Sequence, residues 1–216
     1  MCDIGLHKSH EFILALEKAG FTDDLFQEVI SSRGNKKAKA MYAAVTDGNQ
    51  ADDRFELLNT FEVVVPEGYD HSTRLTTFKA AHQSEENKEF YYYNEAITDA
   101  NFAKATTKLA PGRKFTVKVF GINGRVTSND CLLHLKRVSA TLVGAQGISI
   151  VYEQAKNELP KGKWSVSFDE KDALPFLGGC RRVPYVYRYS DGDFRLNLGH
   201  FEDDWDDEYC LLAFCD

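Results

Sequence analysis

The sequence has no long apolar run. Apolar-rich stretches such as 61–66 fall far short of the ~20 residues that a membrane-spanning helix needs. An uninterrupted apolar stretch near the start is also missing, because Lys8, His10 and Glu11 sit where a secretory leader would have one. A leader is therefore not expected. Cysteine is sparse and unpaired in pattern. The five thiols Cys2, Cys131, Cys180, Cys210 and Cys215 are odd in number and irregular in spacing, which reads as reduced cysteines in a cytoplasm rather than a disulfide framework. Phosphate-cradling glycine motifs of the forms GxGxxG and GxxxxGK[ST] do not occur, nor do GxSxG and HExxH. The common nucleotide, serine-hydrolase and zinc-protease signatures are thus excluded. Zinc would need paired short spacings of Cys or His, and Cys180, His200, Cys210 and Cys215 offer none.

What is present is an ordinary globular composition. The 216 residues are 43% hydrophobic and 27% charged, enough to bury a real core. The net charge of −7 is unevenly placed. The last 28 residues, from Tyr189, hold one basic residue (Arg195) and nine acidic ones, a balance of −8, so the rest of the chain is +1. A polyanion would be repelled from that end.

Residues 6–46 read as three short helices. Ser9 is placed to cap the first and Gly20 to stop it; Thr22 caps the second, and 36–45 forms the third. A polar stretch with Gly48 then reads as a linker. This gives a helical head over 1–48 and a body over 54–216. In the body, 61–65 reads as a strand ending at Pro66, 69–84 as a turn and short helix, and 98–109 as a short helix or loop. Lys114–Ile122 alternates as a half-buried strand. Residues 128–130 cap a helix with Leu132, Leu133 and Leu135. The segments 140–143 and 147–152 read as buried strands. The runs 185–189 and 194–198 flank Asp191-Gly192, which predicts a hairpin with a type I′ turn. The segment 210–214 reads as a last strand, with Cys210 and Cys215 on opposite faces. Helices and strands do not alternate regularly, so the expected fold is α+β: a three-helix head and a mixed or antiparallel sheet with a few helices.

Several stretches resemble a known group. They are 143–147, 159–171, Arg182-Val183-Pro184, 190–194, Phe201-Glu202 and 210–216. Together they resemble an uncharacterised family of bacterial hypothetical proteins, over roughly 61–216. That resemblance implies a bacterial cytoplasm and brings no activity or functional residue with it.

The sharpest local feature is the acidic run 202–208. With Asp191 and Asp193, the carboxylates Glu202, Asp203, Asp204 and Asp206 are hard oxygen ligands of the type that bind Ca²⁺ or Mg²⁺. The plain alternative is a solvated loop pinned to the core by Trp205. The run Phe90-Tyr91-Tyr92-Tyr93 could present stacking faces to a partner, with one side of the strand, either Phe90 and Tyr92 or Tyr91 and Tyr93, exposed. Cys131 and His134 share a helix face, and Cys180 adjoins Arg181 and Arg182. Each could be a nucleophile, and each is as readily an inert thiol.

The leading expectation is a non-enzymatic protein-interaction or assembly module, with Tyr91, Tyr93 and Trp205 as interaction residues and a partner with a basic surface. No membrane is expected as a partner. A second reading is metal-assisted hydrolysis or cation binding by the acidic cluster, with Asp191, Asp193 and His200. The third is DNA binding by the head, since three short helices with a basic last one resemble a helix-turn-helix domain. Against it, the head has six basic and seven acidic residues and no broad positive face.

Overall fold

A computed structural model describes residues 52–216, preceded by the isolated positions Thr22, Asp24, Gln27 and Ser31. The chain divides into two compact units, Met1–Ala51 and Asp52–Asp216. In the first, Asp24, Gln27 and Ser31 are helical; the rest of the expected three-helix head lies outside the described residues. The second unit is α+β.

Its sheet is built around the terminal strand. The elements in chain order are β1 (Phe55–Val64), α1 (Arg74–His82), β2 (Phe90–Tyr93), β3 (Lys114–Ile122), β4 (Val126–Thr127), α2 (Ser128–Arg137) and α3 (Gly144–Ala155). There follow β5 (Trp164–Val166), β6 (Phe176–Leu177), β7 (Cys180–Arg188), β8 (Phe194–His200), β9 (Asp204–Trp205) and β10 (Tyr209–Cys215). The main sheet runs β1-β3-β10-β5-β7-β8-β2, with β6 attached to β7, while β4 and β9 form a separate ribbon. The β10–β5 and β2–β8 pairs are parallel and the others antiparallel, so the sheet is mixed. Among the described residues, no helix is long and apolar enough to cross a membrane.

β10 is apolar along its whole length because it is covered on both sides. Cys210, Leu212 and Phe214 enter one core, and Leu211, Ala213 and Cys215 the other. α3 lies in the first core. Its Ile148, Val151 and Tyr152 pack there with Phe115 and Phe214. The close fit needs Gly147: a Cβ there would sit 2.3 Å from Val143 Cγ2 and 2.9 Å from Phe214 Cζ. The strand expected over 147–152 is therefore corrected to this helix, and that over 140–143 to an irregular lead-in with a single bridge from Thr141 to Phe214. A helix buried nearly all round loses its polar–apolar period, and Ile-Ser-Ile-Val then resembles a strand.

α2 covers part of the opposite face. Its cap is Thr127, one residue earlier than the sequence suggests. The Thr127 hydroxyl accepts from Asp130 N at 3.2 Å, and the Asp130 carboxylate accepts from Thr127 N at 3.0 Å. Ser128 is thereby free of capping, and its hydroxyl accepts from the Trp205 indole N–H at 2.8 Å. The 98–109 segment holds turns and no helix. Its Asp99 carboxylate accepts from Leu75 N and Thr76 N and so closes the start of α1.

The β7–β8 hairpin forms with longer strands than expected and a different turn. Gly192 N donates to Tyr189 O (3.2 Å), and Tyr189 N to Asp193 O (2.9 Å). Gly192 has φ +103°, while Asp191 has no positive φ. A type I′ turn needs positive φ at both central residues. This loop instead bulges through a single left-handed glycine.

Candidate binding surface

The first face of the sheet is buried under α1, α3 and the loops between. On the second face, α2 and the segments carrying Phe168, Leu174, Phe201 and Trp205 cover the half above β3 and β10. The half above β5, β7, β8 and β2 is different. Beyond the buried Val166 and Val183, it carries Trp164, Tyr185, Tyr187, Arg195 and Tyr92, none of them fully buried.

Strand register lines them up. Tyr209 of β10 lies beside Trp164 of β5, Trp164 beside Tyr187 of β7, Tyr187 beside Arg195 of β8, and Arg195 beside Tyr92 of β2. One row thus crosses five neighbouring strands. Trp164 and Tyr187 have ring centroids 4.1 Å apart, and Trp164 and Tyr209 6.5 Å. The Arg195 guanidinium lies 4.7 Å from the centre of the Tyr92 ring and 5.8 Å from that of Trp164. Its Nε is buried without a hydrogen-bond partner, so ring faces account for much of what holds the cation.

A second rank flanks the row. Side chains two apart on a strand share a face, so Tyr185 and Tyr189 stand on either side of Tyr187. Tyr185 lies 4.9 Å from Trp164 and its hydroxyl accepts from Asn197 at 3.0 Å. Tyr189 lies 4.6 Å from Tyr187, and Tyr91 lies 5.9 Å from Tyr189.

The Tyr run of β2 corrects one expectation. A register shift between Phe90 and Tyr92 breaks the strict alternation. Phe90 and Tyr93 point into the core (4% and 5% exposed), whereas Tyr91 and Tyr92 face out (76% and 41%). Tyr91 is thus available as an interaction residue and Tyr93 is not. Trp205 is likewise corrected. At 2% exposed it packs against Phe168 and Tyr209, and it anchors the acidic loop rather than meeting a partner.

The carboxylates form a rim. Asp191 and Asp193 sit on the β7–β8 turn, where the Asp191 side chain accepts from Asp193 N at 3.1 Å. Glu202 and Asp203 are exposed on the way to β9, with Asp203 3.9 Å from His200. Asp204 pairs with Arg125 at 3.2 Å, and Asp206 accepts from Glu208 N at 3.1 Å. Burial pushes the Tyr209 phenol up, and Tyr185, Asp206, Glu208 and Asp203 add to the same shift; the Tyr209 N–Asp206 O bond (3.0 Å) holds the 206–209 turn at the near end of the row. Among the described residues, no three His, Cys, Asp or Glu side chains are grouped to hold a metal ion.

Three of the four described thiols are buried. Cys131 is fully buried, and that burial pushes its thiol well up. His134 stacks on Phe55 at 4.1 Å, and burial pushes it down. The Cys180 thiol donates to Leu177 O at 3.6 Å, and its arginine neighbours turn to Asp172 and Leu177. Cys210 and Cys215 lie on opposite faces of β10.

Sequence reading misses the row and also a polar chain under α1. Buried Arg74 donates to Ser149 (2.7 Å) and Glu153 (2.6 Å). His82 lies between Glu153 (3.4 Å) and Glu89 (2.9 Å), and Glu89 reaches Lys156 (2.9 Å) and the Tyr152 hydroxyl (3.1 Å). This chain ties α1 to α3.

No protein-family model matches the sequence, and neither a curated protein nor a solved structure matches it.

Proposed function

We propose that the Asp52–Asp216 unit is a non-catalytic protein-binding module, with the aromatic row as its docking face and a basic polypeptide segment as its partner. The row itself carries this reading. Five strands align Tyr209, Trp164, Tyr187, Arg195 and Tyr92 on a sheet half where none of them is fully buried. Trp, Tyr and Arg are the side chains enriched where partners bind most strongly, because each brings a large rigid surface with a polar end.

Charge selects the partner. Platforms for single-stranded nucleic acid combine stacking rings with a positive groove that follows the backbone. Here one arginine is embedded among the rings, and the rim is acidic at both ends. Such a rim attracts lysines and arginines and speeds their approach.

The test is to pan a random peptide library on the full chain. Recovered peptides are expected to be basic, to bind more weakly as salt rises, and to lose binding to a Tyr92→Ala, Tyr187→Ala double variant. Peptides that ignore that variant would place the docking face elsewhere.

A further inference from the structure

The far end of the second rank closes into a recess of about 200 Å³, lined by Tyr91, Tyr189, Asp191 and Asp193. The two rings meet edge to face, 5.9 Å apart and inclined by 72°. Tyr91 comes from β2, and the other three belong to the β7–β8 hairpin. The turn is fixed by the Tyr189–Gly192 and Tyr189–Asp193 backbone bonds and by the Asp191 side chain on Asp193 N, and both Asp191 and Asp193 line the recess beside the rings.

We propose that this recess takes an organic cation, the ammonium of a lysine side chain on the docked partner. The lining offers two kinds of attraction to such a group. Aromatic faces are negative and hold a cation within ~6 Å of the ring centre. The carboxylates add direct charge pairing, and none of the described lining residues is basic. A hard divalent metal gains less, since it takes six or more oxygen ligands and the ring faces supply none. The same surface already holds one cation in this way: Arg195 lies between the faces of Tyr92 and Trp164.

The inference deepens the docking reading and rests on it, but its test is independent. The full chain is titrated with Nα-acetyl-lysine methylamide while the tyrosine ring resonances are followed by NMR. Saturable shifts are expected at Tyr91 and Tyr189. The norleucine analogue, of similar shape without charge, should leave both rings unmoved. Asp193→Asn should weaken lysine binding about fivefold or more, Tyr91→Ala should abolish it, and Tyr91→Phe, which keeps the ring, should retain it. Equal shifts from the norleucine analogue would overturn the proposal. So would unmoved rings in a protein that still captures basic peptides, and then the docking face would stand without the recess. Lysine-specific shifts in a protein that captures no peptide would support the recess and remove the docking face.

Discussion

Tyr187→Ala separates a docking role from a purely structural one. Tyr187 is the middle of the row and touches Trp164 at 4.1 Å and Tyr189 at 4.6 Å. Each aromatic pair contributes about 0.5–1.5 kcal/mol beyond area burial, so losing two costs roughly 1–3 kcal/mol of folding stability on top of the area the ring covers. The ring is half-buried, so no large cavity forms behind it. A central anchor in an interface costs about 2 kcal/mol or more of binding, which is roughly 30-fold in affinity. Urea unfolding reads the first quantity, and titration with a selected basic peptide the second. The expected variant stays folded and binds at least that much more weakly. If stability falls by that amount while affinity is unchanged, the row is a structural cluster and the docking face is wrong.

Gly147→Ala should lower the melting temperature. Alanine favours a helix by about 1 kcal/mol over glycine, but its Cβ would overlap Val143 and Phe214, and overpacking a fixed core costs about 1–3 kcal/mol. Ser128→Ala leaves the buried Trp205 indole N–H unpaired and should cost about 1–3 kcal/mol by urea unfolding. Burial pushes Glu89 up, but hydrogen bonds from Lys156, His82 and Asn87 outweigh that and hold it at about 2, below its ordinary 4.5. Its contribution to stability is therefore present above pH 4.5 and lost as pH falls towards 2. Glu89→Gln should flatten the stability–pH curve in that window, and an unchanged slope would contradict the role assigned to Glu89.

Much of the sheet is legible in the sequence. Lys114–Ile122 alternates cleanly, and the Asp191-Gly192 pair marks the β7–β8 hairpin. The central strand is visible as an apolar run, with Cys210 and Cys215 on opposite faces. α3 is not legible, because burial on nearly every side removes its period. The docking face is hidden for another reason. Tyr92, Trp164, Tyr187, Arg195 and Tyr209 come from separate strands, and only register brings them into line. The spacing of Tyr185, Tyr187 and Tyr189 shows that they share a face, but says nothing of what covers it. Strict alternation puts Tyr93 beside Tyr91, and one irregular residue pair in β2 turns it inward instead. The acidic run is plain from composition alone. Its place as a rim beside the rings depends on Trp205, whose burial fixes where the loop lands.

Hydroxyl-radical footprinting with and without a selected basic peptide tests the docking face most directly. Protection is expected at Trp164, Tyr187 and Tyr92, with Tyr91 and Tyr189 following at the end that carries the recess. Protection elsewhere, with the row as reactive as in the free protein, would contradict it.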